Sequence, residues 1–302
     1  MDKIYEQLSR FALTEKDRSL QEMTTLRIGG TVKYTVYPES VTALDSIMHY
    51  VKDLGMPYKM IGKGSDLLCA DRPFDGVVIR LDRHFITSYY TENILTAQAG
   101  ASIIALAVDA MKQGMSGLEF ASGIPGTVGG AIYMNAGAYR SSMCDIVREV
   151  YVYRDGKIEW IPAAECGFGY RSSIFQKHPD WLILAVRMEL TPKDSNEIRE
   201  LMDDRRKRRW ASQPLEYPSC GSVFRNPENR NAWELIDGIG YRGMQKGGAK
   251  VSEKHCNFIV NTGGAKADDY LCLIEEIQEK VLENYGIELI TEVEKFNWQT
   301  NR

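Results

Sequence analysis

From Ser122 to Tyr139 the chain reads Ser-Gly-Ile-Pro-Gly-Thr-Val-Gly-Gly-Ala-Ile-Tyr-Met-Asn-Ala-Gly-Ala-Tyr, with five glycines in eighteen positions. That is more glycine than turns alone require. Glycine reaches backbone angles closed to other residues and lets a ligand approach bare N–H groups. A second such loop, Ile61–Leu68, reads Ile-Gly-Lys-Gly-Ser-Asp-Leu-Leu. Successive N–H groups in turns of this kind form nests suited to a pyrophosphate. The longer loop also carries Pro125, Val128 and Ile132, which could face a flat apolar ring. Neither is a common nucleotide motif. Gly62-Lys-Gly-Ser65 lacks the upstream glycine and the Lys-Ser/Thr ending of a Walker A loop, and no Gly-x-Gly-x-x-Gly stands between a strand and a helix. On glycine content alone, structural turns and a phosphate cradle both stand.

Periodicity gives the frame around these loops. Val41, Leu44, Ile47, Met48, Val51 and Leu54 recur at helical spacing and Gly55 follows as a stop. Tyr58–Ile61 and Gly76–Leu81 read as strands, and Ser102 as the cap of a helix through Gln113. Beyond residue 145 the pattern is β-rich. Val147–Tyr153 and Lys157–Ile161 flank the turn Arg154-Asp155-Gly156, and Leu182–Leu190 is a further strand closed by Thr191-Pro192. A helix is expected from Asp194 or Ser195 to about Arg209, a strand over Asn257–Asn261, and a helix over Ala267–Tyr285 stopped by Gly286. That helix is expected to turn Leu271, Ile274, Ile277, Val281 and Tyr285 inward, and a last strand is expected over Ile287–Val293. The composition shift near Pro192–Ser195 marks the best boundary. The reading is an α+β protein of two parts.

A chain of 302 residues with 44% hydrophobic and 26% charged residues suffices for such a pair of domains. A net charge of −4 argues against a generally nucleic-acid-binding surface. The run Arg205–Arg209 follows Asp203-Asp204 on a predicted helix, where acids and bases at helical spacing pair in solvent. No stretch approaches eighteen consecutive apolar residues, and Met1–Leu20 is studded with charge, so neither a membrane span nor a secretory leader is expected. A cytoplasmic location is the expectation. The six cysteines form no Cys-x-x-Cys pair and read as reduced, mostly buried thiols. The four histidines lie far apart, and no metal site is expected.

Three further segments set polar groups among apolar residues and glycine: Phe168–Phe175, Pro218–Pro227 and Thr291–Val293. Singly, each has an ordinary account. Arg171 could be a structural ion pair, Ser222 a turn hydroxyl, Glu292 an exposed strand residue.

Their order changes that reading. Thr25-Leu-Arg-Ile-Gly-Gly30, Gly62-Lys-Gly-Ser-Asp-Leu-Leu68 and Gly123–Tyr139, followed by Tyr170-Arg-Ser-Ser, Gly221-Ser-Val-Phe-Arg-Asn-Pro227, Tyr241–Asn261 and Glu292-Val293, resemble the MurB family of UDP-N-acetylenolpyruvoylglucosamine reductases. The resemblance runs from about Thr24 to Val293. It implies a two-part FAD-binding domain of the MurB/vanillyl-alcohol-oxidase type, not Rossmann, over residues 1–193, with lobes of about 1–80 and 81–193. A smaller C-terminal α+β substrate-binding domain, 194–302, would bring Glu292 to the active site on its final strand.

The same resemblance implies non-covalent FAD, with NADPH as hydride donor. Gly62, Gly64, Ser65 and Asp66 would line one side of the FAD phosphates, and Gly123, Ile124, Pro125, Gly126, Gly129, Gly130, Asn135 and Gly137 the other. The family's substrate is an enolpyruvyl ether on a UDP-sugar, reduced to the lactyl ether in peptidoglycan precursor synthesis. Flavin N5 delivers hydride to C3, charge builds at C2 and into the carboxylate, and a proton closes C2. Arg171 and Glu292 would stabilise that charge and Ser222 would donate the proton. Cys220 is the rival donor, and the motif favours Ser222. Asn226 is the best candidate for the UDP diphosphate, followed by Arg225, Lys246, Lys250 and Lys254, with Tyr170 and Gln213 weaker.

Two departures stand out. Asp66 replaces the family's usual asparagine, and Arg140 stands where a glycine usually follows Ala-Tyr. No tyrosine-bearing insertion follows Ile174, which implies the shorter of the family's two forms and more open substrate access. A monomer or weak oligomer is expected, with no nucleic-acid or membrane partner. The rival readings are another flavoprotein oxidoreductase of the same FAD-binding group, such as an oxidase, and a flavin-free nucleotide-sugar-binding protein.

Overall fold

The computed structural model describes residues 2–154 and 156–298. The chain forms two compact units: Met1–Lys16, Tyr34–Lys63 and Asp75–Arg208 make the first, and Asp17–Lys33, Gly64–Phe74 and Arg209–Arg302 the second. This division differs from a single cut near residue 193. The helix Ser195–Ser212 buries Ile198 and Met202 in the first core, so the first unit extends to Arg208. Leu26, Ile28 and Leu68 are buried in the second core, which draws two early segments into the second unit. The Thr25–Gly30 motif therefore lies with the C-terminal residues.

In the first unit, five antiparallel strands run in the order Lys157–Pro162, Val147–Arg154, Leu182–Glu189, Ile94–Gln98, Ser88–Thr91. Val147–Arg154 and Leu182–Glu189 are rich in β-branched residues and buried apolar side chains, as inner strands require. Arg154 pairs with Lys157 where the hairpin was expected, with Gly156 at φ 72°; Asp155 of that turn lies outside the described residues. Tyr58–Met60 pairs in parallel with Phe74–Ile79 in a second sheet. Helix Val41–Asp53 begins where Ser40 Oγ accepts from Ala43 N at 3.1 Å, and Gly55 follows it at φ 60°. Ser102 caps helix Ile103–Lys112 in the same way.

In the second unit, Gln245–Lys246, Ala249–Val251 and Ile259–Asn261 form an antiparallel sheet beside helices Ala232–Gly238 and Ala267–Tyr285. The long helix has the expected bounds and ends on Gly286 at φ 66°. Its inward stripe is Tyr270, Leu273, Ile274, Ile277 and Val281. Leu271 is only half-buried and Tyr285 is exposed. Position 271 sits about 100° around the helix from 270, off the stripe. The expected strand over Ile287–Val293 is not formed. Thr291 makes an isolated bridge to Phe224, and the last strand is Glu294–Phe296, parallel to Leu67–Cys69. Only Ile259–Asn261 of the expected Asn257–Asn261 strand is regular. Among the described residues no helix is long and apolar enough to cross a membrane.

One turn carries visible strain. Gly137–Ala138 pairs with Ser141–Ser142, leaving Tyr139 and Arg140 as a two-residue hairpin loop with φ of 56° and 64°. Both central residues at positive φ define a type I′ turn, which favours Asn-Gly. A left-handed residue with a Cβ costs roughly 1–2 kcal/mol, and Arg140 is exposed. Arg140→Gly is therefore expected to stabilise the protein by about 1 kcal/mol, read as a higher urea midpoint at unchanged m. An unchanged or lower midpoint would contradict the strain.

Candidate active site

The glycine loop of the first unit begins with a short 3-10 turn, Glu119–Gly123, and passes through Pro125 into the helix Val128–Tyr133, which Thr127 caps. Its amides are largely engaged within the protein. Ile124 N donates to Ala121 O, Gly126 N to Ile124 O, Val128 N to Ala101 O and Gly129 N to Ala99 O, all at 2.8–3.0 Å. Gly130 N donates to Thr127 Oγ1 at 3.2 Å. These glycines serve close approach. A Cβ on Gly129 would sit 3.0 Å from Ala99 Cβ, and one on Gly137 2.6 Å from Ser141 O. Gly62 meets this loop directly, since a Cβ there would overlap Thr127 Oγ1.

The segment Gly62–Ser65 is different. Among the described residues, the amides of Gly62, Lys63, Gly64 and Ser65 donate to no acceptor, and Gly64 sits at φ 58°. A row of amides lacking protein partners is what a phosphate oxygen needs, so this segment could hold a diphosphate. The Asp66 backbone carbonyl accepts from Glu294 N at 3.0 Å. Burial is the main cause that raises the Cys220 thiol and the Tyr270 phenol, and the charge of Asp66 adds to it.

Asn135, φ 41° and 4% exposed, ties the glycine loop to the next candidate. Its Nδ2 donates to Gly169 O at 2.8 Å, and its Oδ1 accepts from Cys144 N at 2.9 Å. Both ends of the amide are thus committed to protein. Gly169 and Ser172 exchange backbone bonds around Tyr170-Arg171, a tight turn with Arg171 at φ 53°. Arg171 Nη2 donates to Gly137 O at 2.8 Å, and Gln176 Nε2 donates to Arg171 O at 3.2 Å. Ser173, 3% exposed, donates to Tyr133 O at 2.6 Å. A guanidinium has five donors, and the bond to Gly137 fixes one arm of it. An arginine held at positive φ by several partners is the kind of strain that functional sites keep.

In the second unit, Gly221 at φ 81° breaks the chain's extended run. Cys220 and Ser222 therefore do not share an environment. Cys220 is 2% exposed and its Sγ lies 3.0 Å from Tyr270 OH. Burial pushes its thiol up to about 12. Ser222 is half-buried. After it, Phe224 forms an antiparallel bridge with Thr291; Glu292 N donates to Val223 O at 2.8 Å, and Arg225 N to Ile290 O at 2.9 Å. Ser222 and Glu292 thus occupy neighbouring segments, two residues before Phe224 and one residue after Thr291. Glu292 precedes the last strand rather than lying in it.

The candidates for the diphosphate separate. Asn226 is exposed, and its Oδ1 accepts from Ala232 N at 3.0 Å, at the start of helix Ala232–Gly238. Lys246 Nζ lies 2.8 Å from Glu276, whose carboxylate raises it; Glu276 also accepts from Tyr241 OH at 3.2 Å. Lys250 pairs with Glu253 at 2.6 Å and Lys254 with Glu216 at 3.8 Å. Arg225 is half-buried, and Tyr170 is exposed with Arg171 over its ring at 5.2 Å. Gln213 Oε1 is buried without a hydrogen-bond partner among the described residues. Of the basic run, Arg206 pairs with Asp203 at 2.8 Å and Arg208 with Asp204 at 2.6 Å, as helical spacing predicts.

Two residues that the sequence reading passed over organise this unit. Asn257 and Asn261 are 4% and 7% exposed. Asn261 Nδ2 donates to Leu26 O at 3.1 Å, and Asn257 holds both backbone groups of Phe224. The available signal was asparagine flanking the apolar run Phe258–Val260, because a buried amide must find partners.

Comparison with known proteins places the chain. Residues 213–296 match the UDP-N-acetylenolpyruvoylglucosamine reductase C-terminal domain, and residues 32–161 match an FAD binding domain. UDP-N-acetylenolpyruvoylglucosamine reductase of Anoxybacillus flavithermus is 41% identical over 97% of this chain and 98% of its own length. That of Bacillus subtilis is 40% identical over the same shares. The crystal structure of UDP-N-acetylenolpyruvylglucosamine reductase from Thermus caldophilus superposes with a TM-score of 0.80 at 34% identity, covering 94% of this chain and 99% of that one. Sustained at that identity along nearly its whole length, the similarity means that the chain belongs to the UDP-N-acetylenolpyruvoylglucosamine reductase family.

Proposed function

We propose that this protein catalyses the FAD-dependent reduction of UDP-N-acetylglucosamine enolpyruvate to UDP-N-acetylmuramate with NADPH as the reductant. The observation that supports this reading is the Phe224–Thr291 bridge, which brings the segment carrying Ser222, a partly accessible hydroxyl, alongside the segment carrying Glu292. When bound, FAD supplies hydride chemistry between NADPH and the substrate's C3. The rest falls to side chains. Ser222 donates the proton that closes C2, and Glu292 steadies the substrate carboxylate as negative charge spreads into it. Arg171 supplies the matching cation in the same reaction. Cys220 is unsuited to the proton's role, because its thiol is buried against Tyr270.

The Gly62–Ser65 amides hold the FAD pyrophosphate, and the close packing of Gly62 on Thr127 keeps that row in place. Lys246, preset by Glu276, is the cation for the UDP diphosphate, with Arg225, Asn226 and Tyr170 lending further contacts. Substrate access is open, as the lack of an insertion after Ile174 implies, and the protein acts as a monomer or weak oligomer in the cytoplasm.

Two outcomes are expected. Gly62→Val forces a side chain into Thr127, so the purified variant should carry much less flavin, read as the ratio of absorbance near 450 nm to that at 280 nm (both on the order of ordinary flavoprotein bands). Retention at the wild-type level would remove this loop from the FAD site. A wild-type chain that is colourless and cannot be reconstituted would instead favour a flavin-free nucleotide-sugar binder. Ser222→Ala should leave flavin reduction by NADPH intact and slow reoxidation by the enolpyruvyl substrate by roughly 10²–10⁴-fold. Stopped-flow absorbance separates the two half-reactions. Equal loss in both would take the proton-donor role away from Ser222, and reoxidation by oxygen alone would indicate an oxidase.

A further inference from the structure

We propose that Asn257 is a positioning residue for the second half-reaction: it fixes the backbone that follows Ser222 against the segment that carries Glu292. The inference rests on the function proposed above, and every contact it uses lies within the second unit.

The backbone of an extended segment offers hydrogen bonds to both edges, with alternate residues facing alternate sides. After Ser222, one edge is occupied by 290–292: Val223 O accepts from Glu292 N, and Arg225 N donates to Ile290 O. The N–H and C=O of Phe224 face the other edge, where no regular strand lies alongside. Asn257 fills that place. Its Oδ1 accepts from Phe224 N at 2.9 Å and its Nδ2 donates to Phe224 O at 2.8 Å. Its own carbonyl accepts from Val223 N at 2.9 Å. One residue thus makes three bonds to the two residues that follow Ser222.

The chemistry admits few substitutes. A carboxamide presents a donor and an acceptor side by side, matching the adjacent N–H and C=O of one backbone residue. Aspartate keeps the acceptor but sets a second oxygen against Phe224 O. Leucine keeps the volume and loses both bonds, and glutamine is one methylene too long. Asn257 is 4% exposed and Phe224 1% exposed, so no water can easily replace the lost partners. Asn257 N also donates to His255 Nδ1 at 3.3 Å, which anchors the residue from behind. Burial lowers the His255 pKa, so this ring stays a neutral acceptor near pH 7. Without the amide, the 222–225 segment keeps its bridge to Thr291 but loses the fixed edge that sets where Ser222 Oγ points. A displacement of about 1 Å at such a group can cost on the order of 10²-fold in rate.

The test uses flavin-loaded, full-length Asn257→Leu and Asn257→Asp, with Val281→Ala as a control that loosens the same core away from this segment. Flavin reduction by NADPH should stay within about twofold of wild type in both Asn257 variants. Reoxidation by enolpyruvyl-UDP-N-acetylglucosamine should fall on the order of 10²-fold, mostly in kcat rather than KM. The solvent deuterium isotope effect on that step should rise as proton delivery becomes limiting. Val281→Ala, chosen for its thermal destabilisation, should show neither change. Should Asn257→Leu give no folded holoprotein, the nearly isosteric Asn257→Asp decides. Reoxidation at the wild-type rate, or a parallel fall in both half-reactions like that of a merely destabilised control, overturns the assignment. A wild-type holoenzyme that NADPH reduces but the enolpyruvyl substrate does not reoxidise would instead defeat the function on which the inference rests.

Discussion

The antiparallel bridge between Phe224 and Thr291 is the contact on which the proposed chemistry depends. Neither segment is a regular strand, and the two residues lie far apart in sequence. Yet Glu292 N to Val223 O and Arg225 N to Ile290 O fix the two chains in register, so that a hydroxyl and a carboxyl group occupy adjacent segments. Around it the second core supplies rigidity. Val223, Phe224 and Val293 are buried in one core, and Asn257 fills the edge that a third strand would otherwise occupy. A short irregular pairing backed by a packed core can be aimed more finely than a long flat strand, because its side chains need not alternate.

The same economy appears in the first unit. Two glycines of the long loop are a packing device: most of the loop's amides already have partners, and the side chains missing at Gly129 and Gly137 let Ala99 and Ser141 come close. That tight packing leaves Gly137 O where Arg171 Nη2 can reach it. The strained turn at Arg171 is then held from three sides, by Gly137, Gln176 and the Gly169–Ser172 pair. The short segment Gly62–Ser65, which runs from the first unit into the second, has the complementary character: among the described residues its amides donate to no acceptor.

Much of the fold could be read from the sequence because its signals are local. Ser102 caps the helix it announces, Gly55 and Gly286 stop two others, and the apolar period of Ala267–Tyr285 sets that helix's bounds. The failures share a cause. Ile287–Val293 has the apolar content of a strand but only one bridging residue, Thr291, whose partner Phe224 lies in no regular strand either. The unit boundary could not be read from composition, because Leu26, Ile28 and Leu68 choose their core by tertiary contact. In the site, the motif named Ser222 and Glu292, while Gly221 and the Tyr270–Cys220 contact explain why the cysteine two residues earlier is not equivalent. Asn257 and the acceptor role of Glu276 towards Lys246 were invisible, since each depends on a partner distant in sequence.

A crystal structure of the oxidised, flavin-loaded protein with the enolpyruvyl sugar nucleotide bound, in the absence of any reductant, tests this account most directly. The account predicts the enolpyruvyl C2 within about 3–3.5 Å of Ser222 Oγ, a near-attack distance, with the Glu292 carboxyl group against the same acid. Substrate density with its enolpyruvyl arm pointing away from both side chains would contradict it.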